Sequence, residues 1–363
     1  MSARFDFLIF GSTPAAALLA GTLAKTHRAS VGLCGTLPHP MRPLRGFDLS
    51  VAPITRPETW RVLRKTIPQT QELLHDIRPD GITERVSPRF VTQTEIGAEG
   101  LAHMRNIAAG FGVDVAPEPI SEHYLAGYRF PGALRVLRRP LAQALPTWLS
   151  KIGVETYQED KLTLLAKKGQ NFALRYGSER LSAAALVYMD DEALLSRVKV
   201  RDVSAVFHTI PHAAVMLEPI AGGAKSIVTD VDRGTTLHQR ASGALDCVGP
   251  GSIADIARFA STYAAGGKPV RLAGHARYTQ LIPRDGAPVC GIMRAGAAHM
   301  IGGLGPTTLF QVPALARYLA SESSDAESDY FAARKPSGRG KRPSVAEFLP
   351  ISQDLLKRRS GAA

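Results

Sequence analysis

The chain has 363 residues, 45% of them hydrophobic, and a formal net charge of +12 from 44 Lys and Arg against 32 Asp and Glu. That length and apolar share support a large core in one domain or two interleaved ones, and they exclude a disordered or collagenous chain. Three separated cysteines, Cys34, Cys247 and Cys290, form neither a disulfide framework nor a Cys-x-x-Cys zinc pair, so a reducing, cytoplasmic setting is expected.

Residues 4–35 read as one βαβ unit: strand Phe5–Phe10, helix Pro14–Thr26, strand Ser30–Cys34. Pro14 fits the first helical turn, where its missing N–H costs least. The helix is apolar almost all round, as expected of one packed beneath a sheet. Arg4 and the small apolar residues up to Ala24 superficially resemble a secretory signal, but Asp6, the break from Gly11 to Pro14 and the strand that follows favour the βαβ unit. No other stretch holds 18 clean apolar residues, so no membrane span is expected.

Residues 36–56, rich in Pro and Arg, read as a loop. Leu63, Ile67, Leu73, Leu74 and Ile77 recur at near-helical spacing and predict a helix over Trp60–Ile77. From Ser87 to Arg138, short β-like runs alternate with turns around a helix at Ile96–Gly112. Pro140–Ile152 is a helix, and strands follow at Gly153–Tyr157 and Lys161–Ala166. Gly177 centres a hairpin of Phe172–Tyr176 and Ser178–Leu181, and Ala185–Met189 is a buried strand. Residues 200–280 read as mostly β, with a hairpin at Asp232-Arg233-Gly234 and one helix near Ile253–Ala265. Trp60 and Trp148, at helical positions, are core anchors.

A short strand pair then leads through Gly302-Gly303-Leu304-Gly305-Pro306-Thr307-Thr308 into a helix at Leu309–Ala320. Such a turn aims backbone N–H groups and a positive helix end at one point, which suits an anion or an electron-rich ring edge. Beyond Ala320 the composition shifts to Ser, Asp, Glu, Arg and Lys, and residues 321–363 read as a basic, partly disordered tail. The run Arg334, Lys335, Arg339, Lys341, Arg342 reads first as solvated surface, with docking of a protein partner as the alternative. There is no basic helix interleaved with aromatics, so no nucleic-acid partner is expected. His208, His212, His238 and His275 show no metal spacing, and no metal is expected. No Gly-x-Ser-x-Gly elbow surrounds any Ser.

In a dinucleotide-binding turn the first Gly makes the bend, the second lets the backbone approach the diphosphate, and the third packs the helix on the strand. Those places are held here by Gly11, Thr13 and Ala16, with Ser12 between the first two. Ala is an accepted third residue. The β-branched Thr13 is expected to crowd the phosphate, so that Thr13→Gly raises nucleotide occupancy. The acid that normally follows the second strand to bind ribose is missing after Cys34-Gly35.

Taken together, Asp6-Phe7-Leu8-Ile9-Phe10-Gly11, the helix and strand over Leu141–Val154, the strand Leu181–Met189, Gly274-His275-Ala276-Arg277 with Asp285-Gly286-Ala287-Pro288, and the turn Gly302–Thr308 resemble the FAD-dependent oxidoreductases of the D-amino-acid oxidase, glycine oxidase and sarcosine oxidase superfamily. The likeness covers roughly residues 4–320 in element order. It implies an α/β fold: a Rossmann-like FAD-binding domain built from both chain ends (1–85, 140–200 and 275–320) with an inserted β-rich substrate domain (86–139 and 201–274). It implies oxidation of an amine or amino-acid-like substrate by hydride transfer to flavin. It places Gly11, Ser12, Thr13 and Ala16 near the FAD diphosphate, and Gly302, Gly303, Leu304, Gly305, Pro306 and Thr307 near the flavin ring and its chain.

The resemblance also makes Arg277 a grip for the substrate carboxylate, since a planar guanidinium pairs two donors with two oxygens; an ion pair with Asp285 is the structural alternative. His299, just before the Gly-rich turn, is a candidate for stabilising reduced flavin, or else a packing residue. Two departures from the family pattern stand out: Gly35 replaces its Glu, and Met189-Asp190-Asp191 replaces its small residues beside the adenosine. They leave open a second function class, a non-catalytic member of the fold that binds a partner redox protein. A NAD(P)-dependent enzyme is disfavoured because the Gly302–Thr308 turn would have no role.

Overall fold

The computed structural model describes residues 3–36, 44–119, 124–168, 171–220, 225–265, 270–293, 298–337 and 347. The chain opens with β1 (Ala3–Phe10), α1 (Pro14–His27) and β2 (Val31–Cys34), then a two-residue β3 (Asp48–Leu49) and α2 (Pro57–Ile77). Next come β4 (Thr83–Val86), β5 (Arg89–Thr92), α3 (Glu95–Gly110), β6 (Ala116–Pro117), β7 (Ala126–Arg129), β8 (Ala133–Val136) and α4 (Arg138–Lys151). The middle of the chain holds β9 (Glu155–Tyr157), β10 (Leu162–Lys168), β11 (Asn171–Tyr176), β12 (Glu179–Met189), α5 (Asp191–Arg197) and α6 (Val200–Ser204). Then follow β13 (Phe207–Leu217), β14 (Ser226–Asp230), β15 (Thr235–Gln239), β16 (Leu245–Pro250), α7 (Ile253–Ala265) and β17 (Leu272–Pro283). The described chain closes with β18 (Val289–Ile292), β19 (Ala298–Gly302), α8 (Thr308–Leu319) and α9 (Asp325–Ala332).

The described residues form three sheets, and the mixed α/β class read from the sequence holds. The first runs β10-β11-β12-β1-β2-β9, with β19 beside β12 and β18 beside β19. Strand β1 is parallel to both β2 and β12, and β12 is parallel to β19. The second sheet runs β17-β13-β16-β15-β14-β5-β7-β6, and the third is β3-β8-β4.

The central strands of the first sheet are buried on both faces, as parallel strands require. Ile9, Val187 and Met189 face a helical layer with α1, α2, α4 and α8, while Leu8, Phe10, Leu186 and Tyr188 face the other side. Gly21 lets α1 close on α4: a Cβ there would lie 2.0 Å from the Trp148 ring. Thr13 caps α1 by accepting the Ala16 N–H, and Arg28 ends it at φ 52°. In the second sheet one face packs under α7 through Val215, Leu237 and Cys247, while Ala214, Ile227 and Val248 on the other meet Phe47 and Leu49.

Some elements differ from the sequence reading. The hairpin arm and the strand expected at 178–181 and 185–189 are one 11-residue strand, β12. Its start pairs with β11 and its end with β19, and Ser182–Ala185 merely interrupts the apolar pattern. Residues 200–204 form α6 rather than β structure. Past Ala320, α9 is a formed helix with a complete capping box between Ser324 and Glu327. Arg334 is no solvated charge: it is buried against Glu347 and its guanidinium lies 3.5 Å from the Tyr330 ring centre. Arg339, Lys341 and Arg342 lie outside the described residues. Among those described, no helix is long and apolar enough to cross a membrane.

Candidate nucleotide-binding site

Parallel strands expose their C-terminal ends along one edge, and ligands of open α/β sheets bind there. Phe10 at the end of β1 lies in register with Cys34 of β2 and Tyr188 of β12, and Met189 with Ile301 of β19. The registers therefore bring the turn after β1 and the turn after β19 to the same edge, with the end of β12 between them. This is the pairing of the two chain ends that the sequence implied.

The turn after β1 admits no side chain at its first position. A Cβ on Gly11 would lie 2.3 Å from the Met189 carbonyl oxygen and 2.6 Å from the Ala16 Cβ. Gly35, where the family pattern has an acid, is equally constrained. It adopts φ 148°, and a Cβ there would fall 2.2 Å from the Gly11 carbonyl oxygen. The Thr13 side chain turns away from the edge to cap α1, accepting from the Ala16 N–H at 3.3 Å. The expectation that Thr13 crowds a phosphate is thus corrected by its role as helix cap.

What occupies the cradle is Asp190. Its Oδ2 accepts the Ser12 N–H at 2.7 Å and the Thr13 N–H at 3.2 Å, while Oδ1 accepts the Ala193 N–H at 2.9 Å at the start of α5. Asp190 has φ 119° and ψ 166°, a region almost reserved for glycine. Burial pushes its carboxyl up to about 6, against the pull of the Ala193 and Ser12 amides and with Glu192 adding to the rise. Asp191 points the other way and accepts the Leu281 N–H at 3.2 Å; burial, with Asp190 adding, pushes it up to about 7.

Glu192 makes a second connection. Its Oε2 accepts the Ser12 hydroxyl at 3.0 Å and an Arg45 N–H at 3.3 Å. The Arg45 guanidinium lies 5.3 Å from the Tyr278 ring centre, and the Tyr278 hydroxyl donates to the Arg45 carbonyl at 3.0 Å. Arg138 forks onto Asp48 behind them. Asp190, Glu192 and Arg45 were not among the expected site residues. The acidic run after an apolar strand signalled the first two, whereas Arg45 sits in a Pro- and Arg-rich loop with no pattern of its own.

In the turn after β19, Gly303 has φ 72°, and a Cβ on it would meet the Pro283 ring at 2.3 Å. Leu304 is buried, and Gly305–Thr307 forms a single 3-10 turn into α8. The buried Thr307 hydroxyl accepts from Gln311, whose amide oxygen accepts the Tyr330 hydroxyl. Arg277 is exposed on β17; its neighbour Tyr278, on the opposite face of the strand, is the one that meets Arg45. The Asp285 Oδ1 accepts the Ala287 N–H.

His299 is not brought to the Gly-rich turn. It lines an open cavity of about 450 Å³ with Asp6, Phe7, His27, Arg28 and Glu322, toward the N-terminal ends of the strands. Its Nδ1 is buried without a hydrogen-bond partner, and burial pushes the imidazole down to about 4, so it is neutral near pH 7. Among the described residues, no group of three or more His, Cys, Asp or Glu is placed to hold a metal ion.

No family model matches the sequence, and no curated protein matches it either. Solved structures do. Glycine oxidase from Geobacillus kaustophilus superposes with a TM-score of 0.65 at 16% identity, covering 90% of this chain and 96% of that one. L-proline dehydrogenase from P. horikoshii does so with a TM-score of 0.72 at 12% identity, covering 95% and 100%. NikD, an unusual amino acid oxidase essential for nikkomycin biosynthesis, matches with a TM-score of 0.68 at 13% identity, covering 92% and 97%. With its two Gly turns at one strand edge and a second sheet set against them, the chain shares the fold of these glycine oxidase, L-proline dehydrogenase and amino acid oxidase structures.

Proposed function

We propose that the protein is an FAD-dependent oxidoreductase acting on an amine or an amino-acid-like substrate. The observation that carries this reading is the convergence of the turns after β1 and β19 on one edge, where two main-chain amides already hold an anionic oxygen at 2.7 and 3.2 Å. Those amides fit a phosphate oxygen as they fit a carboxylate. In this reading the Ser12 and Thr13 N–H groups hold the diphosphate once Asp190 has left them. Ala16 keeps α1 close to the strand, and Arg45 supplies positive charge alongside. The residues Gly302–Thr307 line the ring end of the cleft. Arg277, on the face of β17 opposite Tyr278, points away from this edge, and the carboxylate grip that the resemblance implies for it is left out of this reading. When bound, FAD supplies the two-electron acceptor; the chain supplies orientation and electrostatics.

One observation favours a second reading. Asp190 sits where the diphosphate belongs, as expected of a non-catalytic subunit that kept the fold and binds a partner redox protein. The test is an absorbance spectrum of the freshly purified protein, repeated after adding FAD and desalting, followed by an amine and amino-acid screen. Flavin bands that survive desalting, with bleaching by a substrate, support the oxidoreductase. A colourless protein that releases added FAD selects the binding subunit.

A further inference from the structure

We propose that Asp190 is an internal plug of the nucleotide site: its carboxylate imitates a phosphate in the cradle after β1, and an adenine dinucleotide enters only by displacing it. The inference rests on the reading of this turn as the nucleotide site, and it adds how that site is controlled.

Three features support the plug. First, the contacts are those of a bound anion, with one oxygen shared by two successive amides in the turn. Second, the residue holding it is strained. A non-glycine residue at φ 119° and ψ 166° persists only where its surroundings impose it. Here the imposing contacts are the Ser12, Thr13 and Ala193 amides. Third, a chain of side-chain contacts crosses the turn beside the plug. Glu192 ties the Ser12 hydroxyl to Arg45, and Arg45 is in turn fixed against Tyr278.

A diphosphate cannot share this space. It would bring further negative charge against the part-buried Asp190 and the half-exposed Glu192, and like charges repel. Displacing Asp190 frees the two amides for phosphate oxygens and relaxes the strained backbone. Displacing Glu192 releases Arg45 to face the incoming charge. The plug thus keeps the cradle satisfied in the absence of nucleotide, since even partly buried amides are costly to leave without partners.

The test uses the full-length protein and measures FAD binding by equilibrium dialysis for the wild type, Asp190→Gly and Asp190→Asn. Asp190→Gly removes both carboxylate and strain. Asp190→Asn keeps the shape and the α5 cap but loses the charge, and so provides the reading if the glycine variant does not fold. Both substitutions are expected to tighten FAD binding by about tenfold or more, and added inorganic pyrophosphate should compete in the variants more effectively than in the wild type. Wild-type binding as tight as that of both variants overturns the plug and leaves the oxidoreductase reading standing. No FAD binding by any of the three proteins overturns the plug together with the nucleotide reading.

Discussion

Gly35 sits so close to Gly11 that a Cβ on it would lie 2.2 Å from the Gly11 carbonyl oxygen. The two residues end adjacent parallel strands, and the Gly11 N–H donates to the Cys34 carbonyl at 3.0 Å. An acid at position 35, the natural way to bind a ribose, therefore has no room in this backbone. Its absence is a consequence of how tightly β1 and β2 close, not an independent loss.

The first prediction follows. Gly35→Glu, which puts in the residue type that the resemblance expects, should destabilise the protein by about 3 kcal/mol or more, through the φ of 148° and the backbone contact. Urea unfolding would measure it. A loss below 1 kcal/mol would mean that the two strand ends can part, and the fit of the turn would need revision.

Part of this site is legible in the sequence. The apolar strand Phe5–Phe10 and the apolar helix that Pro14 opens place the turn at Gly11, because both signals are local. The acids at 190 and 191 were visible as departures, but their partners were not. The contact between Asp190 and Ser12 joins residues 178 apart and depends on the registers of β1, β12 and β19 together. His299 shows the converse: three residues from the Gly-rich turn in sequence, it sits about 10 Å back along its strand, facing the opposite end of the sheet.

Asp191 gives a pH-dependent prediction. Burial, with Asp190 adding, pushes its carboxyl up to about 7; the Leu281 amide pulls it down, and Tyr278 lies beside it. An acid whose pKa is higher folded than unfolded contributes stability below its unfolded value near 4, and that stability is lost as pH rises through the folded value. Wild-type protein should therefore lose stability between about pH 4 and pH 7 on account of this group. Asp191→Asn, which mimics the protonated form and can still accept from Leu281, should raise stability by roughly 2 kcal/mol at pH 8 and change it little at pH 4. Equal effects of the substitution at both pH values would show that the Asp191 carboxyl has the same pKa folded as unfolded.

The pair formed by Arg334 and Glu347 is a separate anchor. Glu347 is fully buried; it accepts from Arg334 at 2.8 Å, its N–H donates to the Gly286 carbonyl, and its own carbonyl accepts the Thr55 N–H. It thereby ties the C-terminal region to the segment preceding α2 and to the Asp285–Pro288 turn. Glu347→Ala leaves a buried guanidinium without its carboxylate and should cost about 3–5 kcal/mol, whereas Arg334→Met with Glu347→Leu should recover much of that loss. Thermal unfolding of the three proteins would show it. A double variant as unstable as Glu347→Ala would point to lost backbone contacts rather than an unpaired charge.

Thr13→Gly separates crowding from plugging. The sequence makes Thr13 the obstacle to a phosphate, whereas the structure turns its side chain onto the Ala16 N–H and leaves the cradle to Asp190. Thr13→Gly alone should cost a few tenths of a kcal/mol through the lost cap and leave FAD retention where it was. Combined with Asp190→Gly, it should add nothing to the gain from Asp190→Gly alone. Dialysis against FAD with the two single variants and the double variant decides between the accounts. A gain from Thr13→Gly comparable to that from Asp190→Gly would mean that the β-branched side chain, and not the carboxylate, limits access to the turn.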